Sequence, residues 1–543
     1  MSGTFDYVVV GAGSAGAVLA ARLSEDGTRS VLVLEAGGSD LHPWIQLPIG
    51  YGRTYYDARL NWKYLTEPVP GLNGKRSYWP RGKVMGGSSS INAMVYVRGH
   101  PQDFEDWKAA GATGWGWDDV APVYKRMERW SRGADAHRGG DGALAVQDIA
   151  GDVHPLCDAY LAAAQESGLD RIDDYNGARM EGAFHYQLTT RGGRRASTAR
   201  CHLRPALGRG NLTLVTRAQV TGLRFDGARV AGVEYRVGGR AEGRAVVARA
   251  RAEVLLCAGA VNTPQLMLLS GLGPGAALQA MGIEARRDLP AVGRHLQDHV
   301  GVDVHFRSRV PTLNQVLRPW TGRLAAGLRY ALTRRGPLSL SINQAGGFVR
   351  TREGLSAPNL QVYFSPVSYT RAPQGTRPMM SPDPFPGFLI GYSSCRPASR
   401  GRVALGSPDP FEAPAIQPAY FDDPQDLAEA VEAARWVRRL AQAPSLARVI
   451  EDEFSPGPDV RSDAQMEAFV RDAAWTVFHP CGTCRIGAGP ADSVVDARLR
   501  VHGVPGLRVI DASIFPNITS GNINAPVIMA AERAADLILE DAR

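Results

Sequence analysis

The N-terminal stretch most strongly constrains the fold of this chain. An apolar run, Tyr7–Val10, leads into GAGSAG, in which Gly11, Gly13 and Gly16 follow a GxGxxG spacing. A segment of helical composition comes next, and a second apolar run, Ser30–Glu35, ends in an acidic residue. This order predicts a β–α–β unit with the glycines in the turn between the first strand and the helix.

Each glycine of this turn has a separate physical task. Gly11 permits the tight turn, Gly13 lets the backbone approach a pyrophosphate, and Gly16 lets the helix pack on the strand. The free N–H groups at the helix N-terminus attract phosphate, and Glu35 would accept hydrogen bonds from ribose hydroxyls. The pattern predicts dinucleotide binding, and the alternative is a tight strand–helix turn without a ligand. It does not distinguish FAD from NAD.

Length and composition indicate a globular protein of more than one domain. The chain has 543 residues, of which 44% are hydrophobic and 21% charged, and a single core rarely grows so large. No apolar run reaches the roughly 18 residues that a membrane span needs. No basic segment precedes the first apolar run, so we expect a cytoplasmic protein rather than a secreted one. Contact with a membrane surface stays open.

Charge and cysteine content argue against two further classes of protein. The net charge of +7 comes from scattered arginines, with short clusters such as RGGRR at 191–195, which we interpret as solvated surface. Nucleic-acid binding would require a basic stripe interleaved with aromatic residues, and none is evident. Six cysteines in a chain of this length predict reduced thiols rather than a disulfide framework.

Further motifs along the chain identify a family. They are YWPRGKVMGGSSSINAMVYVRG at 78–99, EVLLCAGAVNTPQLMLLSGLGP at 253–274, VGRHLQDH at 292–299, SRGRVAL at 399–405, HPCGTCRIG at 479–487 and DASIFP at 511–516. In this order they resemble the glucose–methanol–choline (GMC) flavoprotein oxidoreductases, in particular the branch of choline-dehydrogenase-like and bacterial FAD alcohol dehydrogenases. The resemblance spans nearly the whole chain.

The resemblance implies that FAD is bound deep in the larger domain. It implies that Glu35 binds the ribose, that Val220 contacts adenine through its backbone, and that the Gly86–Asn92 stretch runs under the isoalloxazine ring. The implied FAD-contacting residues are Gly11, Gly13, Ser14, Ala15, Gly16, Glu35, Ala36, Met85, Gly86, Gly87, Asn92, Ala93, Met94, Val95, Val220, Ala258, Gly259, Asp511, Ala512, Asn524 and Pro526.

Position 91 departs from the pattern of some family members. Those members attach FAD covalently through a histidine just before the asparagine of the GGSSxxN segment. Here that position holds Ile91. An isoleucine side chain cannot form the bond, so we expect non-covalent FAD.

The segment HPCGTCRIG places a histidine close to two cysteines at CxxC spacing. A structural zinc site needs about four ligands, and only Cys481 and Cys484 lie close to His479 in the sequence. A redox dithiol typically lies at a helix N-terminus in a βαβ context of its own. We interpret the cysteines as structural residues of the loop that positions the histidine. A redox dithiol and a metal site are the alternatives, and no metal site is predicted.

By the resemblance, His479 is the catalytic histidine and Asn524 is its partner. Histidine suits removal of an alcohol proton because its pKa lies near neutrality, whereas an asparagine can hydrogen-bond the substrate oxygen but cannot share the proton. The hypothesis is that His479 takes the hydroxyl proton, Asn524 orients the alkoxide, and FAD takes the hydride at N5. The alternative for His479 is a buried structural histidine, and His299, in LQDH, is interpreted as structural.

Gln344 and Phe478 guide the expectation for the substrate. Choline-type relatives usually carry a glutamate in the segment before AGGF, where this chain reads SINQ. Because Gln344 cannot supply the negative charge that attracts a quaternary ammonium, we expect a primary, neutral, apolar alcohol, aliphatic or aryl, with choline as the alternative. Phe478, beside the catalytic histidine, favours an apolar substrate. The segment 370–388, which carries two methionines, is either a loop near the substrate entrance or a surface loop.

The electron acceptor and the type of reaction leave alternatives open. The resemblance favours a dehydrogenase that passes electrons to a quinone or another carrier over an oxidase that uses O2. A hydroxynitrile lyase would use the His/Asn pair for acid–base chemistry alone. A fatty-acid photodecarboxylase is a further alternative, since the family members with that activity carry a cysteine that Cys395 resembles. Those members lack the histidine that this chain retains as His479. A non-catalytic flavin-binding protein is the remaining alternative.

The expected fold is an α/β FAD-binding Rossmann-like domain of the GMC type with an inserted α+β substrate domain that contains an antiparallel sheet. Residues 1–300 should form mostly the FAD-binding domain, 301–477 the substrate-binding domain, and 478–543 the return to the FAD domain with the catalytic histidine and asparagine. The stretch Asp426–Gln442 has helical periodicity and should cap the antiparallel sheet.

Overall fold

The computed structural model describes residues 3–239, 241–370 and 381–543. Its strands are, in chain order, β1 Gly3–Val10, β2 Val31–Glu35, β3 Tyr64–Leu65, β4 Tyr78–Trp79, β5 Glu128–Trp130, β6 Leu144–Asp148, β7 Gly182–His185, β8 Gln187–Leu188, β9 Thr190–Arg191, β10 Arg194–Arg195, β11 Leu212–Thr216, β12 Ala218–Asp226, β13 Arg229–Val237, β14 Ala245–Leu256, β15 Leu272–Gly273, β16 Arg287–Asp288, β17 Val300–Ser308, β18 Ala345–Val349, β19 Leu360–Ser365, β20 Tyr369–Thr370, β21 Ser381–Pro382, β22 Gly387–Ser394, β23 Arg402–Ala404, β24 Ala415–Gln417, β25 Ile450–Ser455, β26 Trp475–Thr476 and β27 Leu507–Val509.

The helices surround the two larger sheets. They are α1 Gly16–Leu23, α2 Pro43–Gln46, α3 Tyr51–Thr54, α4 Pro101–Ala109, α5 Trp117–Met127, α6 Leu156–Glu166, α7 Arg204–Ala206, α8 Gly259–Leu269, α9 Gly275–Ala280, α10 Asn314–Leu317, α11 Trp320–Thr333, α12 Pro424–Ala441, α13 Pro444–Ala447, α14 Asp463–Ala473 and α15 Asn524–Asp541. Within the described ranges, no helix combines the length and the apolar character that crossing a bilayer would require.

The first sheet is the expected dinucleotide-binding type. Its strands run in the order β11-β2-β1-β14-β13-β12, with β27 paired to β14. The pairs β1–β2, β1–β14, β2–β11 and β14–β27 are parallel. The apolar runs of β1 and β2 are buried, as is typical of parallel strands covered on both faces.

The second sheet is antiparallel and joins segments that are distant in the chain. Its order is β25-β17-β22-β19-β18-β7, with β26 paired to β17. The edge strand β7 comes from the N-terminal region and pairs with β18. The predicted combination of a Rossmann-like parallel sheet with a second, antiparallel sheet is therefore confirmed.

The two faces of the antiparallel sheet differ because side chains alternate along a strand. In β17, Val302, Val304 and Phe306 are buried in the cluster that α12 covers. Asp303 lies on the opposite face, in register with Gly391 of β22 and through it with Tyr363 of β19. The face with Asp303 and Tyr363 supplies one wall of the cavity described next.

Candidate active site

A cavity extends from the carboxyl ends of the parallel strands to the antiparallel sheet. Its lining includes most of the residues implied by the family resemblance, namely Gly11, Gly13, Ser14, Ala15, Glu35, Ala36, Gly87, Asn92, Ala93, Met94, Val95, Val220, Ala258, Gly259, Asp511, Ala512 and Asn524. Four other implied residues do not line the cavity but lie behind the residues that do. Met85 and Pro526 are buried, Gly86 donates its N–H to Ala12, and Gly16 packs on Gly11.

The glycine-rich turn leaves room for a ligand at one position. A Cβ at Gly16 would lie 1.9 Å from the carbonyl oxygen of Gly11, so contact between helix and strand requires this glycine. A Cβ at Gly13 would meet no protein atom closer than 3.8 Å, so protein packing does not require this glycine, which lines the cavity. No side chain caps the N-terminus of α1. These features suit the approach of a pyrophosphate to the backbone.

Glu35 lies at the same end of the cavity as the glycine-rich turn. Its carboxylate accepts hydrogen bonds from the backbone N–H groups of Ala12 at 2.9 Å and Gly37 at 2.8 Å. Burial raises the pKa of this carboxyl to about 7. Glu35 lines the cavity at the end of β2, the position from which an acid binds ribose hydroxyls in dinucleotide-binding folds.

Asp511 joins two elements of the cavity wall. Its carboxylate accepts from the backbone N–H of Gly259 at 2.8 Å and from the hydroxyl of Thr263 at 2.6 Å. Both partners belong to α8, so the segment that contains Asp511 and Ala512 is held against the start of that helix. The chain thus brings four distant glycine-rich or acidic motifs to one cavity.

The Asn92 side chain is supported by an arginine that the sequence analysis interpreted incorrectly. Arg195 belongs to the RGGRR cluster interpreted as solvated surface, yet it is only 2% exposed. Its Nη1 donates to Oδ1 of Asn92 at 2.8 Å and to the carbonyl of Ser89. Arg191 and Arg194 of the same cluster are exposed, as expected.

His479 lies in a tightly constrained loop at the other end of the cavity. The preceding residue, Phe478, has a φ of 68°, a left-handed conformation that a bulky residue rarely adopts. Arg81 donates to the carbonyl oxygen of Phe478 at 2.6 Å, and Asp298 accepts the backbone N–H of His479 at 2.7 Å. The hydroxyls of Thr476 and Tyr420 bind the other oxygen of Asp298. These contacts hold the histidine backbone in place.

A second buried histidine, His299, is hydrogen-bonded to His479. The two Nδ1 atoms lie 2.9 Å apart, and Nε2 of His299 lies 3.1 Å from the carbonyl oxygen of Cys395. Because a carbonyl oxygen only accepts, His299 carries its proton on Nε2 and accepts at Nδ1. His479 must then carry its proton on Nδ1, which leaves the lone pair on Nε2 available as a base.

Asn522 lies next to that lone pair. Its Nδ2 is 3.1 Å from Nε2 of His479, and its Oδ1 accepts from Nε2 of Gln361 at 3.1 Å. The hydroxyl of Tyr363 donates to Oε1 of Gln361 at 2.6 Å, which sets the orientation of both amides. Asn522 therefore directs an N–H donor toward the base.

Asn524, the partner expected from the sequence, is placed elsewhere. Its Oδ1 accepts from the hydroxyl of Ser14 at 2.9 Å, so its side chain turns toward the glycine-rich turn. Asn524 is the first residue of α15, whereas Asn522 precedes the helix. The geometry therefore pairs His479 with Asn522, and it places Asn524 beside the cofactor-binding motif.

Burial sets the protonation of the histidine pair. Burial lowers the pKa of His479 well below its usual value, and His299 and the guanidinium of Arg81 lower it further. Burial lowers the pKa of His299 to about 4. Both rings are accordingly neutral near pH 7, the state that a base and its hydrogen-bond acceptor require.

Gln344 does not contact the cavity, contrary to the expectation. Its Oε1 accepts the backbone N–H of His154 at 2.7 Å and lies 3.8 Å from the sulfur of Cys157. The neighbouring Ile342 and Asn343 line the cavity instead. The inference from Gln344 to a neutral substrate therefore loses its structural basis.

Aromatic rings and one carboxylate line the cavity near His479. The rings of Tyr51, Tyr55, Phe478 and Trp475 follow one another with centroid distances of 5.6, 5.3 and 5.6 Å. Phe478 lines the cavity as expected, and Asp303 lies in the wall formed by the antiparallel sheet. The arrangement suits an organic substrate with an apolar or aromatic body.

Family models described as GMC oxidoreductase match residues 5–301 and 397–531. The chain belongs to the GMC oxidoreductase family. It is 43% identical over 538 residues to the oxygen-dependent choline dehydrogenase of Sinorhizobium medicae, covering 98% of this chain and 95% of the relative. It is 40% identical over 537 residues to the alcohol dehydrogenase [acceptor] of Pseudomonas putida, covering 98% and 96%.

Solved structures agree with the assignment. The crystal structure of pyridoxine 4-oxidase from Mesorbium loti matches with a TM-score of 0.87 and 33% identity, covering 98% of each chain. This GMC oxidoreductase is an FAD-binding flavoprotein, as the family resemblance implied.

The two cysteines of the HPCGTCRIG segment are buried in this GMC oxidoreductase. The backbone of Cys481 pairs with Gln297, and the sulfur of Cys484 lies 3.8 Å from that of Met267. Burial raises the pKa of both thiols, which disfavours the thiolate that redox or metal chemistry needs. Among the described residues, no group of histidines, cysteines and acids is arranged to hold a metal ion.

Several residues of this site were not predicted from the sequence. Gln361 and Asp303 lie outside the recognised motifs. Asn522 lies in SGNINAP, where the presence of two asparagines was the one signal that could have identified it. His299 was assigned a structural role, although its Nδ1 contacts His479. The segment 370–388, weighed as an entrance loop, lies largely outside the described residues.

Proposed function

We propose that this enzyme oxidises a primary alcohol to the aldehyde, with His479 as the base and bound FAD as the oxidant. The observation that carries the proposal is the hydrogen-bond series from Cys395 through His299 to His479, which leaves Nε2 of His479 as an acceptor beside Asn522. The names of the relatives, a choline dehydrogenase and an alcohol dehydrogenase, support the same reaction class.

His479, Asn522 and His299 have different roles in removing the hydroxyl proton. The substrate hydroxyl would replace the direct hydrogen bond between Nδ2 of Asn522 and Nε2 of His479, donating to Nε2 and accepting from Nδ2. As the proton moves to Nε2, Asn522 stabilises the negative charge that develops on the substrate oxygen. The Nδ1–H of the protonated His479 points at the neutral His299, which stabilises the new positive charge. FAD, when bound in this cavity, would supply the two-electron oxidant for the carbinol carbon.

The residues that hold FAD and the non-covalent mode of its binding are also part of the proposal. Glu35, Gly13 and the start of α1 would hold the ribose and pyrophosphate, and Asn92 lies where the resemblance puts the isoalloxazine ring. Ile91 lines the cavity, and its side chain has no group that could bond to flavin, so FAD is bound non-covalently. The name of the relative alcohol dehydrogenase [acceptor] favours a quinone or another carrier as the electron acceptor, with O2 as the alternative.

The substrate proposed first is a neutral aliphatic or aryl alcohol. The row of four aromatic rings beside His479 supports it, because such walls bury apolar groups. The second candidate is choline. Asp303 favours it, because a carboxylate in an aromatic cavity can stabilise a quaternary ammonium together with cation–π contacts.

One experiment tests the reaction and separates the two substrates. The holoenzyme is mixed anaerobically with benzyl alcohol, choline or 3,3-dimethylbutan-1-ol, the uncharged isostere of choline, and flavin bleaching is followed. We expect the neutral alcohols to bleach the flavin at least about tenfold faster than choline does, since a buried cation without full compensation is costly. Acid precipitation of the same sample should release the flavin into the supernatant.

The other outcomes discriminate among the alternatives. Faster bleaching by choline than by its isostere would replace the neutral substrate with the cationic one and assign Asp303 to its recognition. Flavin that no alcohol bleaches would refute alcohol oxidation and favour a lyase or photodecarboxylase. Flavin that stays with the precipitated protein would contradict non-covalent binding.

The two asparagines should respond differently to substitution. Asn522→Ala removes the donor beside His479 and should lower the rate of anaerobic flavin reduction by about 10²-fold, the usual effect of losing one donor to a developing oxyanion. Asn524→Ala removes the contact with Ser14 and should mainly weaken FAD retention. Stopped-flow reduction and FAD content after dialysis measure both effects. Equal losses of rate in FAD-saturated variants would contradict the assignment of Asn522.

A further inference from the structure

Helix α11 exposes an unusual row of large apolar side chains. Trp320, Leu324, Leu328 and Leu332 are 69%, 55%, 57% and 85% exposed. They recur every fourth residue, so they form one stripe along the helix surface. Ala326 is the only residue of α11 that is buried. A 14-residue helix in a globular protein normally buries such a stripe, and here the rest of the described chain does not cover it.

The charged residues of α11 and of its flanking segments are all positive. Arg318, Arg323, Arg329, Arg334 and Arg335 lie within or next to the helix, and all are exposed. No acidic residue occurs between Asp303 and Glu353 in the sequence. None of the five forms a salt bridge with another described residue, although Arg334 stacks on Tyr330.

The helix is fixed to the body of the protein at both ends. Asn314, just before it, donates to the carbonyl oxygens of Ser368 and Asp383. After it, the chain continues through Ile342 and Asn343, which line the substrate cavity. The hydroxyl of Tyr330 donates to the carbonyl of Gly193 at 2.9 Å. These contacts anchor α11 to the body of the protein.

A further basic segment adjoins the helix. Gly193 packs directly against the backbone of Arg334, and it lies in the turn between β9 and β10, where Arg191 and Arg194 are exposed. The same surface therefore carries seven exposed arginines, which attract anionic groups, and four apolar side chains, which gain by leaving water.

We propose that α11 docks this enzyme on the surface of a membrane that contains anionic lipids. The apolar stripe would insert at the level of the headgroups and the arginines would contact lipid phosphates, as in amphipathic interfacial helices. A second copy of this chain is a poor occupant, because arginines would face arginines. One short helix also offers much less area than the roughly 800 Å² per partner of a stable interface.

This surface would give the proposed reaction a direct supply of substrate. Apolar alcohols and quinones partition into membranes, and the helix is linked to the cavity wall through Ile342 and Asn343. Docking would therefore bring the cavity close to the phase in which both molecules concentrate. The docking proposal itself does not depend on the identity of the alcohol.

Vesicle co-sedimentation of the holoenzyme tests the docking. We expect binding to vesicles of phosphatidylcholine with phosphatidylglycerol, and weaker binding at high salt or to phosphatidylcholine alone. The double variant Leu324→Glu/Leu328→Glu should bind at least about tenfold more weakly, since it puts two charges into the apolar stripe. Both residues are exposed, so the variant should fold and keep its flavin reduction by soluble alcohols.

The matched control is Leu65→Glu/Met281→Glu, which adds the same charge at two other exposed apolar residues. It should bind vesicles like the unaltered enzyme. Absence of binding to anionic vesicles, or equal binding by the α11 variant, would overturn the proposal. A dimer that forms without vesicles and is dissociated by the α11 substitutions would also overturn it, because a second copy would then be the occupant.

Discussion

The variant His479→Ala is expected to reduce its flavin with alcohol about 10²–10⁴-fold more slowly than the unaltered enzyme, the range that general base catalysis contributes. The reason is that Asn522, the other polar group beside Nε2, can donate a hydrogen bond but cannot take a proton. Anaerobic stopped-flow measurement of flavin absorbance gives the rate of this step directly. FAD content should stay unchanged, because His479 lies at the end of the cavity away from Glu35 and Gly13.

The pH dependence of the same reaction follows from the lowered pKa of His479. A base acts in its neutral form, so kcat/KM should rise with pH through the pKa of His479 and stay constant above it. Burial places that pKa well below 6.5, so the plateau should already be reached at neutral pH. The rising limb should disappear in His479→Ala.

A matched histidine provides the control for this variant. His137 is exposed, and its interactions with the protein run through its backbone, so His137→Gln should reduce its flavin at the normal rate. Near-normal reduction by His479→Ala would remove this residue from the mechanism and leave the hydrogen-bonded pair without a catalytic purpose.

Replacing His299 should also have a large effect, although His299 does not touch the substrate. In His299→Ala, the Nδ1–H of His479 loses its acceptor, so the proton can move to Nε2, the atom that must act as the base. We expect kcat/KM to fall about 10- to 100-fold, as for other residues that orient a functional histidine. The decrease should be mainly in kcat, since His299 does not itself line the cavity.

Asparagine at position 299 distinguishes positioning from mere packing. Its Oδ1 can occupy the place of Nδ1 and accept from His479, so His299→Asn should recover most of the rate that His299→Ala loses. The pH profile of kcat/KM should also be closer to that of the unaltered enzyme in His299→Asn than in His299→Ala. Equal losses in both variants, with an unchanged pH profile, would indicate that His299 only fills space.

Local motifs in the sequence predicted the cofactor end of the site better than the substrate end. Gly11, Gly16 and Glu35 act within one β–α–β unit, so their spacing alone determines their roles. Asn522 and Asn524 are two residues apart, and which one faces His479 depends on where α15 begins. The direction of the Gln344 side chain was mispredicted for a similar reason. Side chains alternate between the two faces of a strand, so a shift of one residue reverses the face on which a side chain lies.

Contacts between distant segments could not be read from the sequence at all. His299 and His479 are 180 residues apart, and Gln361 reaches Asn522 from another strand. Arg195 resembled surface because it lies among exposed arginines, yet its side chain is buried and donates to the amide oxygen of Asn92. Such roles arise from the packing of the two sheets, for which one sequence carries no local signal.

The contact between Ser14 and Asn524 has a consequence for how the protein matures. It joins residues 510 positions apart, and β27 completes the parallel sheet beside β14 from a similarly late part of the chain. Domains usually fold as they leave the ribosome, but here the nucleotide-binding turn gains its contact with Asn524 only after α15 has been synthesised. The walls of the FAD site are therefore completed by a segment that is translated hundreds of residues after the GAGSAG turn.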